Sequence, residues 1–147
     1  MFKNILLPTD GSPLSDRATT QAIELARLHG GRLVALSVIQ PFPFVTLAGE
    51  SGMVAPDTEA YENQMEEAAR GFVNRVVAAA SAAGVPCEGV VTLGPSPYHE
   101  IVETAGKHGC DAIVMASHGK KGLNKLFLGS ETQKVLAHTE LPVLVLR

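Results

Sequence analysis

Tryptophan is absent from the sequence, and cysteine is nearly so, with two in 147 residues. Cys87 and Cys110 stand apart from each other and from any histidine pattern. Zinc sites and disulfide frameworks need several such residues at short spacings, so neither is expected. This cysteine usage is typical of a reducing compartment, and we expect a cytoplasmic protein.

A strong charge of either sign and a long apolar run are also missing. Charged residues make up 18% of the chain and the formal net charge is -3, which gives no reason to expect nucleic acid or an anionic membrane as a partner. No apolar run approaches the roughly 20 residues that span a bilayer. The opening MFKNILLPTD turns polar too early for a signal peptide.

The sequence does contain 46% hydrophobic residues, arranged as alternating strand-like and helix-like segments. This alternation predicts a single α/β domain over residues 1–147, with a parallel sheet covered by helices on both faces. The third strand is predicted near a sheet edge because polar residues interrupt it. Predicted strands cover 2–8, 32–39, 87–94, 110–117 and 142–147, and predicted helices cover 13–29, 57–84, 96–109 and 130–138.

One segment, MASHGKKGLNKLFLGSETQKVL (115–136), places glycines and lysines between a strand and a helix start. Backbone N–H groups bind phosphate closely where no Cβ intervenes, and a helix N-terminus attracts anions. In SETQ, we expect the Ser130 hydroxyl to cap the helix and Gln133 to reach back, as in a capping box. The segment is therefore a candidate phosphate-binding loop. Ordinary turns and a solvated surface are the alternative explanation for Gly119, Gly122, Gly129, Lys120, Lys121 and Lys125.

Two other phosphate-binding motifs fail on spacing. A Walker A loop needs glycine, four residues and then Gly-Lys-Ser/Thr, but Gly119-Lys120 is followed by Lys121 and Val114 lies five positions before Gly119. A dinucleotide fingerprint needs three glycines in the first strand–helix turn, where DGSPLS offers only Gly11.

Three segments, ILLPTDGSPLSDRA, DAIVMASHGKKGLNKLFLGSETQKVL and PVLVLR, resemble the universal stress protein family, and the resemblance covers essentially the whole chain. ATP-binding members of that family carry Gly-x-x-Gly, nine residues, and Gly-Ser or Gly-Thr. Here Ala116 replaces the first glycine, while Gly119 and Gly129-Ser130 keep the spacing. The resemblance implies five parallel strands in the order 3-2-1-4-5, with the ligand at the strand carboxyl ends beside the reversal between strands 1 and 4.

The resemblance also implies ATP as the ligand and a set of residues that contact it. Pro8 and Thr9 would offer backbone groups to adenine, and Val38 would offer an apolar face. Asp10 would contact the nucleotide near the ribose or phosphates, and could hold Mg²⁺ together with the phosphates. The remaining predicted ATP-binding residues are Ala116, Ser117, His118, Gly119, Gly129, Ser130, Glu131 and Thr132.

Several of these residues have an ordinary structural alternative. Asp10 is also a typical turn aspartate before a helix, and Val38 alone cannot be told from core. Because His118 has no nucleophile or carboxylate near it in the sequence, we expect it to be structural or to contact the ligand. We name no catalytic residue.

The function that follows is a cytoplasmic stress-response module that binds ATP, with binding as the signal and at most slow hydrolysis. One alternative is a ligand-free dimeric interaction protein of the same family. A weaker alternative is an enzyme that acts on adenylates.

Two segments bear on assembly. The terminal LPVLVLR is short and apolar, and an unpaired edge strand there would tend to pair with another chain. We therefore expect a homodimer through this strand, as the resemblance also implies. The connection Gln40–Pro56 is long and has no clear element. A lid, a partner-binding segment and disorder all remain open for it.

Overall fold

The structure, a computed structural model, describes residues 1–42, 57–119 and 128–147. Within these ranges strands and helices alternate along the chain. The elements are β1 (Asn4–Pro8), α1 (Pro13–His29), β2 (Arg32–Ile39), α2 (Thr58–Ala82), β3 (Cys87–Leu93), α3 (Pro97–Lys107), β4 (Ala112–Ala116), α4 (Ser130–His138) and β5 (Val143–Leu146). The predicted alternation is confirmed, with boundaries that differ by a few residues at most.

All five strands form one parallel sheet in the order β3-β2-β1-β4-β5. The predicted α/β class and strand order are therefore confirmed, as is the edge position of β3. β1 is flanked by β2 and β4. The chain therefore adds β2 and β3 on one side of β1 and then crosses to add β4 and β5 on the other side. The carboxyl ends of β1 and β4 are thereby neighbours, which is the usual ligand-binding position in such sheets.

Each face of the sheet packs against two helices. One core cluster joins buried residues of α1 and α2, such as Ala22 and Val76, to Ile5 and Leu7 of β1. The other joins α3 and α4, through Ile101 and Val135, to the opposite face. Successive side chains of a strand point to opposite faces, so β1 supplies both clusters.

Local sequence signals account for the start and end of α1. Ser12 is the N-cap, its hydroxyl accepts a hydrogen bond from the Ser15 N–H at 3.2 Å, and Pro13 follows at the first helical position. Gly30 ends the helix in the left-handed conformation at φ 58°. These caps, which the sequence predicts, fix where the chain leaves β1 and enters β2.

Two sequence-based expectations concern residues that the structure does not describe. Residues 43–56 of the long connection lie outside the described residues, as do Lys120, Lys121, Gly122 and Lys125 of the candidate loop. No helix in the described part of the chain is both long and apolar enough to span a membrane.

Candidate functional site

The loop after β1 is held in a tight turn by its own side chains. The Thr9 N–H donates to the Leu36 carbonyl at 2.8 Å, which extends the pairing of β1 with β2 by one residue. This N–H is therefore not available to a ligand. The Asp10 carboxylate then accepts the Ser12 N–H at 3.0 Å. Gly11, at φ 72°, makes the turn, and the Phe72 ring occupies the position that a Cβ would take.

The segment after β4 meets the start of α4 through close backbone contact. The Gly129 N–H donates to the Ser117 carbonyl at 2.7 Å. A Cβ at Gly129 would lie 3.0 Å from that same oxygen and 3.2 Å from the His118 Cα. Gly129 has φ -59°, so crowding, and not an unusual backbone conformation, favours glycine here.

The two loops touch each other at a second glycine. A Cβ at Gly119 would collide with the Asp10 carboxylate, whose Cγ would lie 3.4 Å away. The loop after β1, the segment after β4 and the first turn of α4 therefore converge at one place on the carboxyl edge. The structure thus brings together Asp10, Ser117, His118, Gly119, Gly129 and the first turn of α4, all predicted from the sequence.

Ala116, which stands where the family motif has its first glycine, lies within β4 and pairs with Leu146 of β5. Among the described residues Phe2 is the one non-glycine residue with positive φ, so Ala116 has an ordinary strand backbone. A methyl group at this position is compatible with the local conformation.

Thr132 ties α4 to the end of β4. Its hydroxyl lies 3.2 Å from the Ala116 carbonyl and 3.1 Å from the Ser117 carbonyl, and the residue is 2% exposed. Because that single O–H donor is already used by these carbonyls, the Thr132 side chain cannot also donate to a phosphate. Its contribution to ligand binding is limited to the backbone N–H.

The predicted capping box at the start of α4 is wrong. Gly129 is the N-cap, Ser130 is the first helical residue, and no side-chain cap bond forms. Gln133 instead donates through Nε2 to the Leu128 carbonyl at 2.7 Å. Since Ser130 is exposed and is not needed as a cap, its hydroxyl is open to another role.

Glu131 points away from the start of its own helix. One carboxylate oxygen accepts the Tyr98 backbone N–H at 2.9 Å, and the other accepts from Lys134 Nζ at 3.1 Å. The sequence could not reveal this, because Tyr98 is 33 residues away at the start of α3.

His118 has a hydroxyl neighbour, Ser117, which directly precedes it in the sequence, so the expectation that no nucleophile lies near His118 is wrong. The Ser117 hydroxyl lies 3.0 Å from His118 Nδ1. Ser117 is only 3% exposed, and its N–H donates to the Leu146 carbonyl at 2.7 Å, so this serine is part of the sheet edge. A serine as buried as this one is poorly placed to attack a substrate.

On the β2 side, Val38 is half-buried and packs against the core cluster of α3 and α4. Pro8, also half-buried, ends β1 beside Leu36. The register partner of Val38 is Thr92 of β3, whose hydroxyl is buried and has no hydrogen-bond partner among the described residues. Sequence analysis missed Thr92. An isolated threonine in a strand carries no signal of an unsatisfied hydroxyl.

The two cysteines are free thiols. Burial raises the pKa of the Cys110 thiol to about 11 and also raises that of Cys87, so both stay protonated at neutral pH.

In the described part of the chain, one group could hold a metal, the trio His99, Glu100 and Glu103 on α3, of which Glu100 is half-buried. Its Glu103 bonds Lys107 at 2.9 Å, which lowers the pKa of that carboxyl.

A cleft of about 190 Å³ lies between α2 and the carboxyl ends of β2 and the edge strand β3, and Thr92 is among its lining residues. Its charged side chains are Glu62, Glu66 and Arg70, and Arg70 is paired with Glu66 at 2.9 Å. With two carboxylates and one committed guanidinium, this α2–β3 cleft is unsuited to a phosphate.

The fold and the converging loops define an α/β protein of the doubly wound type, with a glycine-lined segment and a helix N-terminus at the carboxyl edge. A family model described as the universal stress protein family matches residues 1–147. The chain belongs to the universal stress protein family.

Individual relatives agree with this assignment. A universal stress protein of Thermus aquaticus is 37% identical over 148 residues, covering 100% of both chains. One from Methanocaldococcus jannaschii is 33% identical over 147 residues, covering 100% of this chain and 83% of the relative. The solved structure of universal stress protein UspA from Lactobacillus plantarum superposes with a TM-score of 0.85 at 25% identity, covering 99% of this chain and 98% of that one.

Two more distant solved structures are nucleotide complexes. A universal stress protein in complex with cAMP has a TM-score of 0.72 at 21% identity, covering 99% of this chain and 97% of that one. One from Archaeoglobus fulgidus in complex with dAMP has a TM-score of 0.70 at 19% identity, covering 98% and 97%. At these identities the likeness shows the shared fold alone.

Proposed function

We propose that this protein is a stress-response module that binds an adenine nucleotide, Mg-ATP, at the carboxyl edge of its sheet. The observation that carries the proposal is the convergence of Asp10, Gly119 and Gly129 beside the N-terminus of α4. Backbone N–H groups of the first turn of a helix lack partners in the helix and attract phosphate. The cAMP and dAMP complexes of related proteins support a nucleotide as the ligand class.

The residues divide into a phosphate side and a base side. On the phosphate side, the exposed Ser130 hydroxyl and the N–H groups of Ser130, Glu131 and Thr132 contact phosphate oxygens. We assign to the Asp10 carboxylate a share in holding a Mg²⁺ ion with the phosphates, since carboxylate and phosphate oxygens are the ligands that Mg²⁺ prefers.

On the base side, the nucleotide contacts Pro8, the Thr9 carbonyl and the apolar side chain of Val38. Ala116, Ser117, His118 and Gly119 form the wall between the two sides.

Binding itself is the output of this site. We propose at most slow hydrolysis, because the hydroxyl beside His118 belongs to Ser117, which is only 3% exposed. We further propose a cytoplasmic homodimer that pairs through β5, an edge strand whose Leu144 is 41% exposed. A monomer mass by light scattering at micromolar concentration would contradict the dimer.

Calorimetric titration of the purified, nucleotide-stripped protein with Mg-ATP tests the proposed ligand. We expect a micromolar dissociation constant, weaker binding of Mg-GTP, and no binding of Mg-tripolyphosphate at the same concentration. A folded protein that binds none of them would instead support a ligand-free dimeric interaction protein. The ordinary strand backbone of Ala116 argues against that alternative, because the missing motif glycine is its main support.

A further inference from the structure

The side chain of Glu131 connects α4 to the start of α3. Its carboxylate accepts the Tyr98 N–H at 2.9 Å, and Tyr98 is the second residue of α3. The N-cap of α3, Ser96, forms no side-chain cap bond. Glu131 therefore supplies, from α4, the acceptor that an N-cap side chain usually supplies from within its own helix.

This connection is reinforced by the surrounding side chains. Lys134 Nζ bonds the second carboxylate oxygen of Glu131 at 3.1 Å and lies 5.5 Å from the centre of the Tyr98 ring. The ring of His138 lies 4.9 Å from the same ring, centre to centre. Tyr98 is thus held against α4 through both its backbone and its side chain.

The first turn of α4 is consequently fixed on two sides. The Thr132 hydroxyl holds it to the end of β4, and the Glu131 carboxylate holds it to the start of α3. Ser130, whose side chain is exposed, lies between the N-cap Gly129 and these two residues. This turn is the one to which the proposed function assigns the phosphates.

The same arrangement removes an electrostatic conflict. A carboxylate in the first turn of α4 would repel a phosphate bound at that turn. Here the carboxylate is directed at the positive N-terminal end of a different helix and at the Lys134 ammonium, so its charge is compensated.

We propose that Glu131 is a positioning residue for phosphate binding, an inference that rests on the proposed function. Its carboxylate locks the first turn of α4 against α3, and its backbone N–H, not its side chain, contacts the phosphate.

The test compares Glu131→Ala and Glu131→Gln with the parent protein, using Mg-ATP and adenosine as probes in calorimetric titrations. The alanine variant loses the acceptor for the Tyr98 N–H, and we expect Mg-ATP binding to weaken about tenfold while adenosine binding is unchanged. The glutamine variant keeps an amide oxygen in place, so we expect Mg-ATP affinity within about threefold of the parent. Amide hydrogen exchange at Tyr98 should accelerate in the alanine variant and change little in the glutamine variant.

Each other outcome would overturn the inference in its own way. Unchanged or tighter Mg-ATP binding by the alanine variant would mean that the carboxylate does not position the turn. An equal loss for Mg-ATP and adenosine would indicate general damage, and an equal loss in both variants would make the charge itself the active feature. If the parent protein binds neither Mg-ATP nor adenosine, its own titration contradicts the proposed function before any variant is compared.

Discussion

At the amino edge of the sheet, the Asp111 carboxylate accepts the backbone N–H groups of Lys3 at 2.9 Å and Asn4 at 3.2 Å, and the Asn4 amide donates to the His108 carbonyl at 2.7 Å. At the carboxyl edge, the Asp10 carboxylate of the loop after β1 lies against Gly119 of the segment after β4, and the Gly129 N–H at the start of α4 donates to the Ser117 carbonyl at 2.7 Å. One end of the sheet is therefore fastened by side chains that bond backbone groups, and at the other end the chain segments meet closely at two glycines.

The difference shows how a parallel sheet separates stability from binding. Polar side chains at the amino edge bond backbone groups of neighbouring segments, which fastens β1 to the chain just before β4. At the carboxyl edge, glycines let two backbones approach, and the free N–H groups of a helix N-terminus remain for a ligand. Substitutions at the carboxyl edge should therefore change binding, whereas those at the amino edge should change stability alone.

The largest effect should come from Gly129→Val. The new side chain would press on the Ser117 carbonyl and the His118 Cα, pushing the first turn of α4 away from the loop after β4. We expect Mg-ATP affinity to fall by about a hundredfold or more, a loss typical of a misplaced binding group. Calorimetric titration measures it.

Gly106→Ala is the matched control for that substitution. Gly106 lies in α3, and a Cβ there would meet nothing within 4 Å. Stability should rise by about 0.5–1 kcal/mol, because alanine favours the helix, and affinity should not change. Equal affinities for the two variants would refute the role given to Gly129.

Thr132→Val should cost stability as well as binding. Valine has a similar shape but no donor for the Ala116 and Ser117 carbonyls, so we expect a loss of about 1–3 kcal/mol in the free energy of unfolding. Urea denaturation measures this loss. Thr20→Val, which removes an exposed hydroxyl on α1, should stay within about 0.5 kcal/mol of the parent. A similarly small change at Thr132 would show that the hydroxyl does not tie α4 to β4.

Asp111→Asn should change the pH dependence of stability and leave nucleotide binding alone. Burial raises the pKa of the Asp111 carboxyl. Other interactions, led by the N–H groups of Lys3 and Asn4, together lower the pKa by more than burial raises it, so the net pKa lies below the usual value. A depressed pKa means that the stabilisation is present above about pH 4, the unfolded-state value, and is lost as the pH falls through the folded-state pKa.

The asparagine variant should therefore be less stable at pH 7 by no more than about 1 kcal/mol, and the gap should close under acid conditions. Urea midpoints measured from about pH 3 to pH 7 follow this gap. A gap that stays constant over that range would disprove the assigned cause.

Ala116→Gly should have the smallest effect. Since Ala116 already has an ordinary strand conformation, restoring the family glycine should alter Mg-ATP affinity by less than about threefold. It should lower stability by about 0.5–1 kcal/mol through backbone entropy. A large gain in affinity would show that the alanine methyl group obstructs the ligand.

Local sequence patterns were sufficient for most of the fold. Ser12-Pro13 and Gly30 set the limits of α1, and apolar runs set the strands, because caps and buried strands depend on neighbours in sequence. The strand order came from the family resemblance, since alternation alone permits several orders.

The sequence was less informative about the site. It predicted which loops converge, but it misassigned Ser130 as a cap and could not show where Glu131 points. The partners of Glu131 and Thr132 lie on α3 and β4, so their roles depend on tertiary packing that no local pattern encodes. Thr92 was missed for the same reason.

The most direct test of the difference between the two edges is backbone chemical-shift mapping of the ¹⁵N-labelled protein during titration with Mg-ATP. We predict the largest chemical-shift changes at residues 9–12, 116–119 and 129–132, with little change at Lys3, Asn4 and Asp111. Shifts concentrated at the amino edge or around the α2–β3 cleft would contradict it.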